Sequence, residues 1–182
     1  MSYYTPNKDP NFWRNNNDEI KDVNCGSYAL NLLDWYWPYN YDEEFGDNII
    51  ESWSGTFGTF YDALIDSTNY HLKQILNDFE DIRIIHNFDE ANIDERIILY
   101  REGISQNGCF PSMNENCIYG YENCVNWEWD FHFIWRDIEG SWHQKLGGGE
   151  IQEIDEPDFN NFWFCDLCVY QGPIVMLAKK EV

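Results

Sequence analysis

The sequence has few basic residues and no long apolar stretch. Lys and Arg together number 11 against 33 Asp and Glu, which gives the 182-residue chain a formal net charge of -22. Because nucleic-acid binding depends on basic side chains that neutralise phosphates, this deficit argues against a DNA- or RNA-binding protein. No run approaches the roughly 20 apolar residues that a membrane span requires, so neither a transmembrane segment nor a membrane partner is predicted.

The first residues, MSYYTPNKDPNFWRNNND, lack the features of a classical secretory signal. They contain neither a basic start nor an apolar stretch. We therefore expect a protein that is cytoplasmic or associated with a virion. The acidic residues are scattered rather than gathered in blocks, which is typical of a solvated surface and also suits attraction to a basic protein partner.

Cysteine is sparse, since six in 182 residues is below the density of disulfide-built scaffolds. Three cysteines lie in one polar segment at spacings of eight and seven, which are not those of common zinc modules, and no metal or other cofactor is predicted. These three are Cys109, Cys117 and Cys124. Cys165 and Cys168 form a C-x-x-C within FWFCDLCVY, which alternates like a strand. A strand would point the two sulfurs to opposite faces, so buried free thiols are expected there.

Apolar material is plentiful. Hydrophobic residues make up 43% of the chain and aromatic residues 18%, which is enough to build one core, and we predict a single domain over residues 1–182. Its predicted parts are a polar N-terminal arm (1–23), a helix (25–36), a region of helix, strands and cysteine-bearing insertion (38–127), and core antiparallel strands (129–178). Whether 102–127 forms a lid over a site is left open.

The helix over 25–36 is predicted because apolar residues recur at helical spacing after Asn24, a favourable N-cap, and because Pro38 ends the pattern. A second helix is predicted over 60–79. Further strands are predicted over 82–86, 96–100, 161–170 and 173–178, with a helical turn between the first two. Helices followed by antiparallel strands predict an α+β fold with the helices packed on one side of the sheet.

The segment WDFHFIWRDIEGSWHQKLGGG, residues 129–149, predicts a β-hairpin around an acidic loop that ends in glycine. In its first strand the polar or charged residues alternate with Phe131, Phe133 and Trp135. The face opposite those aromatic residues carries Asp130, His132, Ile134 and Arg136. A four-residue loop over 137–140 would place Lys145 opposite His132 and bring His143 onto the same face.

Three residues have the order and placement of a thiol catalytic set. Cys25 falls in the first turn of a predicted helix, where the helix dipole lowers the pKa of a thiol. His132, on a strand that faces the helix, would act as general base and then general acid, and His143 would orient its ring. The backbone N–H groups of Cys25 and Gly26 would help to hold an oxyanion.

With this order of residues the sequence resembles papain-like cysteine peptidases, most closely the NlpC-type cell-wall amidases and endopeptidases. The motifs NCGSYAL, DFHFIWRD, GSWHQKLGGG and FWFCDLC also resemble those of a set of bacterial and phage proteins. The resemblance implies a papain-like core and, as substrates, peptidoglycan cross-links or stem peptides. Two departures stand out: the nucleophile motif is Asn24-Cys25-Gly26-Ser27 rather than Asp-Cys-Ser-Gly, and 107 residues, about twice the usual gap, separate Cys25 from His132.

Two functions follow from these observations. The first is a thiol hydrolase that cleaves an amide or peptide bond through a Cys25 acyl-enzyme. Residues proposed to contact substrate or to orient the histidine are Asp130, Lys145, Gly26 and Trp142. The second is a non-catalytic acidic interaction or structural protein, a virion component or inhibitor, in which Cys25 is an inert core residue. The two remaining histidines, His71 and His86, are expected to be structural or exposed.

Overall fold

The computed structural model describes residues 24–32, 36–38, 57–106, 127–146, 151–165 and 168–181. Several predicted segments therefore lie outside the described residues. They are the N-terminal arm and residues 107–126 of the insertion, which contain its three cysteines. The remaining residues of that segment, 102–106 and 127, belong to strands.

The described residues form two α-helices and eight strands. The helices are α1 (Cys25–Leu30) and α2 (Phe57–Asp78), and the strands are β1 (Ile82–Ile85), β2 (Glu95–Gln106), β3 (Trp127–Arg136), β4 (Trp142–Lys145), β5 (Ile151–Ile154), β6 (Trp163–Cys165), β7 (Cys168–Tyr170) and β8 (Val175–Lys180). The predicted helical turn is a 3-10 helix over Phe88–Glu90. None of the described helices is long and apolar enough to cross a membrane.

The strands form one sheet in the order β1-β8-β2-β3-β4-β5, and every described pairing is antiparallel. β2 and β3 form its centre and pair over ten residues, from Ile97 opposite Arg136 to Gln106 opposite Trp127. Beyond the end of β8, the same edge of β2 pairs with β7, and β6 pairs with β7. The predicted α+β class, with a mostly antiparallel sheet, is confirmed.

Helix α1 is shorter than the predicted helix over 25–36. Asn24 caps its start as expected, since the Asn24 Oδ1 accepts the Ser27 N–H at 3.0 Å. It ends at Leu30 because Asn31 adopts the left-handed conformation, with φ of 62°, and its N–H bonds back to the Ser27 carbonyl. A local residue that tolerates positive φ therefore stops the helix before Pro38 is reached.

Two apolar clusters lie on opposite faces of the sheet. The first joins helix residues to one face of the central strands and includes Leu30, Ile75, Phe79, Ile98, Tyr100, Phe131, Phe133 and Trp135. The second includes Ile85, Ile97, Leu99, Ile134, Trp142, Trp163, Tyr170 and Ala178. This division confirms the alternation predicted for β3, in which aromatic residues face one way and His132 and Ile134 face the other.

A buried carboxylate ties α2 to the sheet. Glu102, in the middle of β2, is fully buried and receives hydrogen bonds from the hydroxyls of Ser67 and Tyr100, the latter at 2.8 Å. The indole N–H of Trp129 donates to it at 2.6 Å, and His71 Nδ1 lies 3.1 Å from its Oε2. His71 is therefore structural, as expected, and the network supplies the donors that a buried carboxylate requires.

The strand predicted over 161–170 is a hairpin. β6 and β7 are antiparallel, Cys165 pairs directly with Cys168, and the two form a disulfide with their Cα atoms 4.9 Å apart. The prediction of free thiols on opposite faces is wrong because β6 and β7 are separate antiparallel strands, and Cys165 lies directly opposite Cys168. Residues directly opposite each other on antiparallel strands have a Cα separation suited to a disulfide.

Candidate functional site

The register of the β3–β4 hairpin differs from the predicted one. Ile134 pairs with Gln144, Trp135 with His143 and Arg136 with Trp142, so the loop comprises residues 137–141. An odd loop shifts the register by one residue, and this moves every β4 side chain to the other face of the sheet. The prediction that Lys145 lies opposite His132, with His143 on the same face, is wrong; Gln144 shares the face of His132.

Asp137 organises this five-residue loop. Its Oδ1 accepts the backbone N–H groups of Glu139 and Ser141 at 2.9 and 3.0 Å, and its own N–H donates to the Ser141 carbonyl at 3.0 Å. Gly140 takes a φ of 97°, which a residue with a side chain rarely adopts. The Asp-centred turn extends the loop to Ser141 and so decides which β4 residues meet His132.

His132 is held by a chain of side-chain amides. Its Nε2 lies 3.0 Å from Gln144 Oε1, and the Nε2 of Gln144 donates to Gln152 Oε1 at 2.8 Å. Because the Gln144 amide presents its oxygen to the ring, the imidazole Nε2 carries the proton and its Nδ1 carries a lone pair. The ring also stacks on Tyr170, with centroids 5.2 Å apart and planes at 21°, so its orientation is fixed.

The environment of His132 keeps the ring neutral. Burial lowers the pKa of His132 to about 4, and the hydrogen bond with Gln144 offsets only part of this effect. At neutral pH the imidazole is thus an uncharged base.

Cys25 begins helix α1, as predicted, but it lies within the first apolar cluster and is only 5% exposed. Burial raises the pKa of the Cys25 thiol to about 12, and hydrogen bonding from the backbone N–H groups of Phe133, Gly26 and Cys25 itself opposes this rise only in part. The expected lowering of the thiol pKa is wrong because desolvation outweighs the helix start. The resting thiol is protonated.

His143 lies on the other face of the sheet from His132. Its Nε2 is 2.9 Å from Asp137 Oδ2, and its ring stacks on Trp135 with centroids 4.5 Å apart. Burial raises the pKa of Asp137, but the hydrogen bonds from His143 and from the loop N–H groups outweigh it, and the net pKa is lowered. The structure thus brings His143 to the hairpin loop and not to His132.

A cavity of about 690 Å³ connects the surroundings of Cys25 and His132. The described residues that line it are Asn24, Cys25, Trp37, Asp130, Phe131, His132, Gln144, Leu146, Gln152, Phe164, Cys165, Cys168 and Tyr170. It reaches both faces of the sheet because β3 continues beyond its last pairing with β4, at Ile134 and Gln144. The cavity lies beside this part of β3, where Asp130, Phe131 and His132 line it.

Among the predicted substrate contacts, Asp130 lies in the cavity. Its Oδ2 accepts the Tyr170 hydroxyl at 2.9 Å and its Oδ1 accepts the Phe131 N–H at 2.8 Å. Gly26, Trp142 and Lys145 are not among the described residues that line it.

Those three residues are packed inside the protein instead. A side chain at Gly26 would meet Tyr36 Cδ1 at 3.0 Å and the Phe133 ring at 3.2 Å, and Trp142 belongs to the second apolar cluster. Lys145 is fully buried, which lowers its pKa, although the nearby Cys25 raises it.

The described residues contain no group of three or more His, Cys, Asp or Glu side chains suited to a metal ion.

Two members of the site were not predicted from the sequence. Gln144 is the sequence neighbour of His143, the residue predicted to orient His132. Tyr170 lies in a segment that was predicted as one strand and that forms the β6–β7 hairpin. Comparison with protein families, with curated proteins and with solved structures finds no match to this chain.

Proposed function

We propose that the protein is a thiol hydrolase with a papain-like arrangement of residues, which cleaves an amide or peptide bond. Cys25 is the nucleophile, His132 the general base and acid, and Gln144 the residue that orients the imidazole. The observation that carries the proposal is the hydrogen bond between His132 Nε2 and Gln144 Oε1, on neighbouring strands, in a cavity that Cys25 also lines. Gln144 thus replaces His143 as the residue proposed to orient the His132 ring.

The tautomer of His132 suits this chemistry. Cys25 belongs to the apolar cluster on the opposite face of β3 from His132, and both residues line the cavity that reaches the two faces. In the proposed step, the Nδ1 of His132 takes the thiol proton of Cys25 as the sulfur attacks a carbonyl carbon. The imidazolium that forms is stabilised through Gln144, and it returns the proton to the leaving amine as the amide bond breaks. Water, activated by the same nitrogen, then hydrolyses the Cys25 thioester and restores the thiol.

The developing oxyanion also has donors at hand. Hydrogen bonding from the backbone N–H groups of Cys25, Gly26 and Phe133 lowers the pKa of the Cys25 thiol, so these groups lie near the sulfur. In the proposed mechanism, these N–H groups beside the nucleophile stabilise the tetrahedral intermediate.

In the resting protein both the Cys25 thiol and the His132 imidazole are neutral, and this determines when the proton is transferred. A thiol with a pKa of about 12 and an imidazole with a pKa of about 4 do not form a thiolate–imidazolium pair at pH 7. The proton therefore moves during attack on a bound substrate, as in serine hydrolases. Peptidoglycan stem peptides or cross-links, in a bacterial or phage setting, are the substrates implied by the resemblance of the motifs.

Trapping of the acyl-enzyme tests this proposal. The protein is incubated with peptide thioesters and esters, including peptidoglycan stem peptides, and intact mass spectrometry detects an acyl group that peptide mapping assigns to Cys25. Cys25→Ala should abolish the adduct, and His132→Ala should slow its formation by about 10²- to 10⁴-fold. His143→Gln and the exposed His86→Ala should form the adduct at the rate of the unaltered protein. An adduct that persists in Cys25→Ala would refute Cys25 as the nucleophile.

One observation favours a second candidate, the non-catalytic acidic protein. The Cys25 thiol is 5% exposed and protonated, in a chain with a net charge of -22. If no ester or thioester acylates the protein and a Lys/Arg-rich protein is captured with salt-sensitive affinity, the interaction function replaces the enzymatic one.

A further inference from the structure

Three large apolar side chains that line the cavity are exposed. Trp37 is 37% exposed, Leu146 39% and Phe164 52%. A single exposed apolar residue is ordinary, but these three come from separate segments of the chain and meet at one cavity. Apolar surface that converges in this way is typical of a binding site.

The described lining residues of the cavity include an acidic side chain but no basic one. Among the described residues that line it, none is Lys or Arg, and Asp130 is its one carboxylate. His132 is neutral at pH 7, and the Cys25 thiol is protonated. Any ion pair between the described lining residues and a ligand therefore requires a cationic group on the ligand.

The Asp130 carboxylate and the strand that carries Phe164 are both held in place. The Tyr170 hydroxyl and the Phe131 N–H fix the Asp130 carboxylate, and each donates to a different oxygen. Phe164 sits in the β6–β7 hairpin, next to the disulfide between Cys165 and Cys168, which also lines the cavity. A charged group and an apolar surface in fixed positions favour a ligand with matching features.

We propose that the cavity binds a peptide segment that presents a Lys or Arg side chain to Asp130 and an apolar side chain to Trp37, Leu146 and Phe164. Charge complementarity supports this occupant, because the net charge of -22 attracts cationic peptides while the site repels acidic ones. The cavity volume of about 690 Å³ lies in the range of ligand sites. The inference deepens the proposed function, since this segment is the one whose amide bond would be cut.

Binding is measured with the full chain carrying Cys25→Ala, so that no peptide is cleaved. The probe is a fluorescein-labelled hexapeptide of alternating Lys and Leu, followed by fluorescence anisotropy. Three matched peptides replace every Lys with Gln, every Lys with Glu, or every Leu with Ser. We expect the Lys/Leu peptide to bind more tightly than each of the others, with an affinity that falls as salt is added.

Two variants locate the contacts. Asp130→Asn should weaken binding of the Lys/Leu peptide by about tenfold and leave the Gln/Leu peptide unchanged, since only the former loses a charge-assisted contact. Phe164→Ser, at an exposed position, should weaken both peptides. Asp66→Asn, an exposed carboxylate on α2, makes the same change in net charge and should have no effect.

The inference is overturned if the Glu/Leu peptide binds as tightly as the Lys/Leu peptide. It is also overturned if Asp130→Asn has no greater effect than Asp66→Asn, which would show general attraction to an acidic surface. Because the thiol is absent from this assay, the outcome is independent of catalysis. A protein that binds as described but forms no acyl adduct loses the hydrolase function and keeps the peptide site.

Discussion

The Nε2 of His132 lies 3.0 Å from the Oε1 of Gln144, across the two strands of the β3–β4 hairpin. Because the Gln144 amide also donates to Gln152, its oxygen is the group that meets the imidazole. This contact decides where the ring carries its proton and which nitrogen is left to act as a base.

The first prediction concerns that tautomer. At pH 7, ¹⁵N–¹H correlation spectra of the His132 ring should show the Nε2–H form, and Gln144→Leu should alter it because the acceptor is lost. Gln144→Glu keeps an acceptor and should keep the tautomer. A ring protonated on Nδ1 in the unaltered protein would contradict the assignment.

The second prediction concerns stability against pH. The pKa of His132 is about 4 when folded, below the ordinary value of about 6.5 expected when unfolded. As pH falls from 6.5 to 4 the unfolded chain takes up a proton that the folded chain does not. The unfolding free energy should therefore decrease by up to about 1.4 kcal/mol per pH unit.

Urea unfolding at pH 7, 6 and 5 measures this decrease. The matched variant His132→Gln should show a shallower dependence over that window, and His86→Ala should follow the unaltered protein. Equal slopes for His132→Gln and the unaltered protein would contradict a buried neutral imidazole.

The third prediction concerns the hairpin loop. Asp137→Ala removes the acceptor for two loop N–H groups and for His143, and should lower the unfolding free energy by about 1–3 kcal/mol. Asp137→Asn retains an oxygen for the loop and should cost less. Chemical denaturation checks this order, with Glu156→Ala, an exposed carboxylate, as the control. A greater loss for Asn than for Ala would exclude the loop role.

The Asp137 pKa also predicts an acid limb of the stability curve. Its folded pKa is lowered below the ordinary value of 3.8, so its contribution is present above that value and is lost as pH falls below it. The pH range in which the Asp137 contribution is lost lies below the range in which His132 affects stability, so the two effects can be measured separately.

The fourth prediction concerns the buried network. Glu102→Gln replaces one acceptor oxygen of a fully buried carboxylate with an NH₂ group, although Ser67, Tyr100 and Trp129 all donate to it. We expect a loss of about 1–3 kcal/mol in the free energy of unfolding. Glu80→Gln, at an exposed turn position, should change it by less than about 0.5 kcal/mol. Equal effects of the two variants would show that the network contributes nothing.

Much of the sheet follows from local alternation in the sequence. The opposite faces of Phe133 and His132 are a period-two pattern within one strand, which needs no knowledge of its neighbours. The pairing of β3 with β4 is different, because it depends on whether the loop holds four or five residues. Asp137 and Gly140 set that number through a specific turn, and the sequence motif alone was compatible with both.

The state of Cys25 was also beyond the reach of local patterns. Asn24 and the helical spacing identify the start of the helix, and with it the position of the cysteine. The thiol pKa depends on how deeply the first apolar cluster, which is built from distant parts of the chain, buries Cys25, and this burial outweighed the hydrogen bonds from backbone N–H groups. The sequence analysis did not identify Glu102 as a buried residue. The apolar residues Ile98, Tyr100 and Ile104 recur at every second position around it and so place it on a buried face of β2.

The most direct test of a catalytic Cys25 is the rate at which a peptidyl acyloxymethyl ketone labels it at pH 7.5, read by mass spectrometry of the Cys25 peptide. The probe should label Cys25 faster than iodoacetamide does, because the resting thiol is protonated and reacts only when a bound peptide engages His132. His132→Ala should slow labelling by at least about hundredfold, while His86→Ala leaves it unchanged. If the probe does not modify Cys25, or modifies it equally fast in His132→Ala, Cys25 and His132 do not form a catalytic pair.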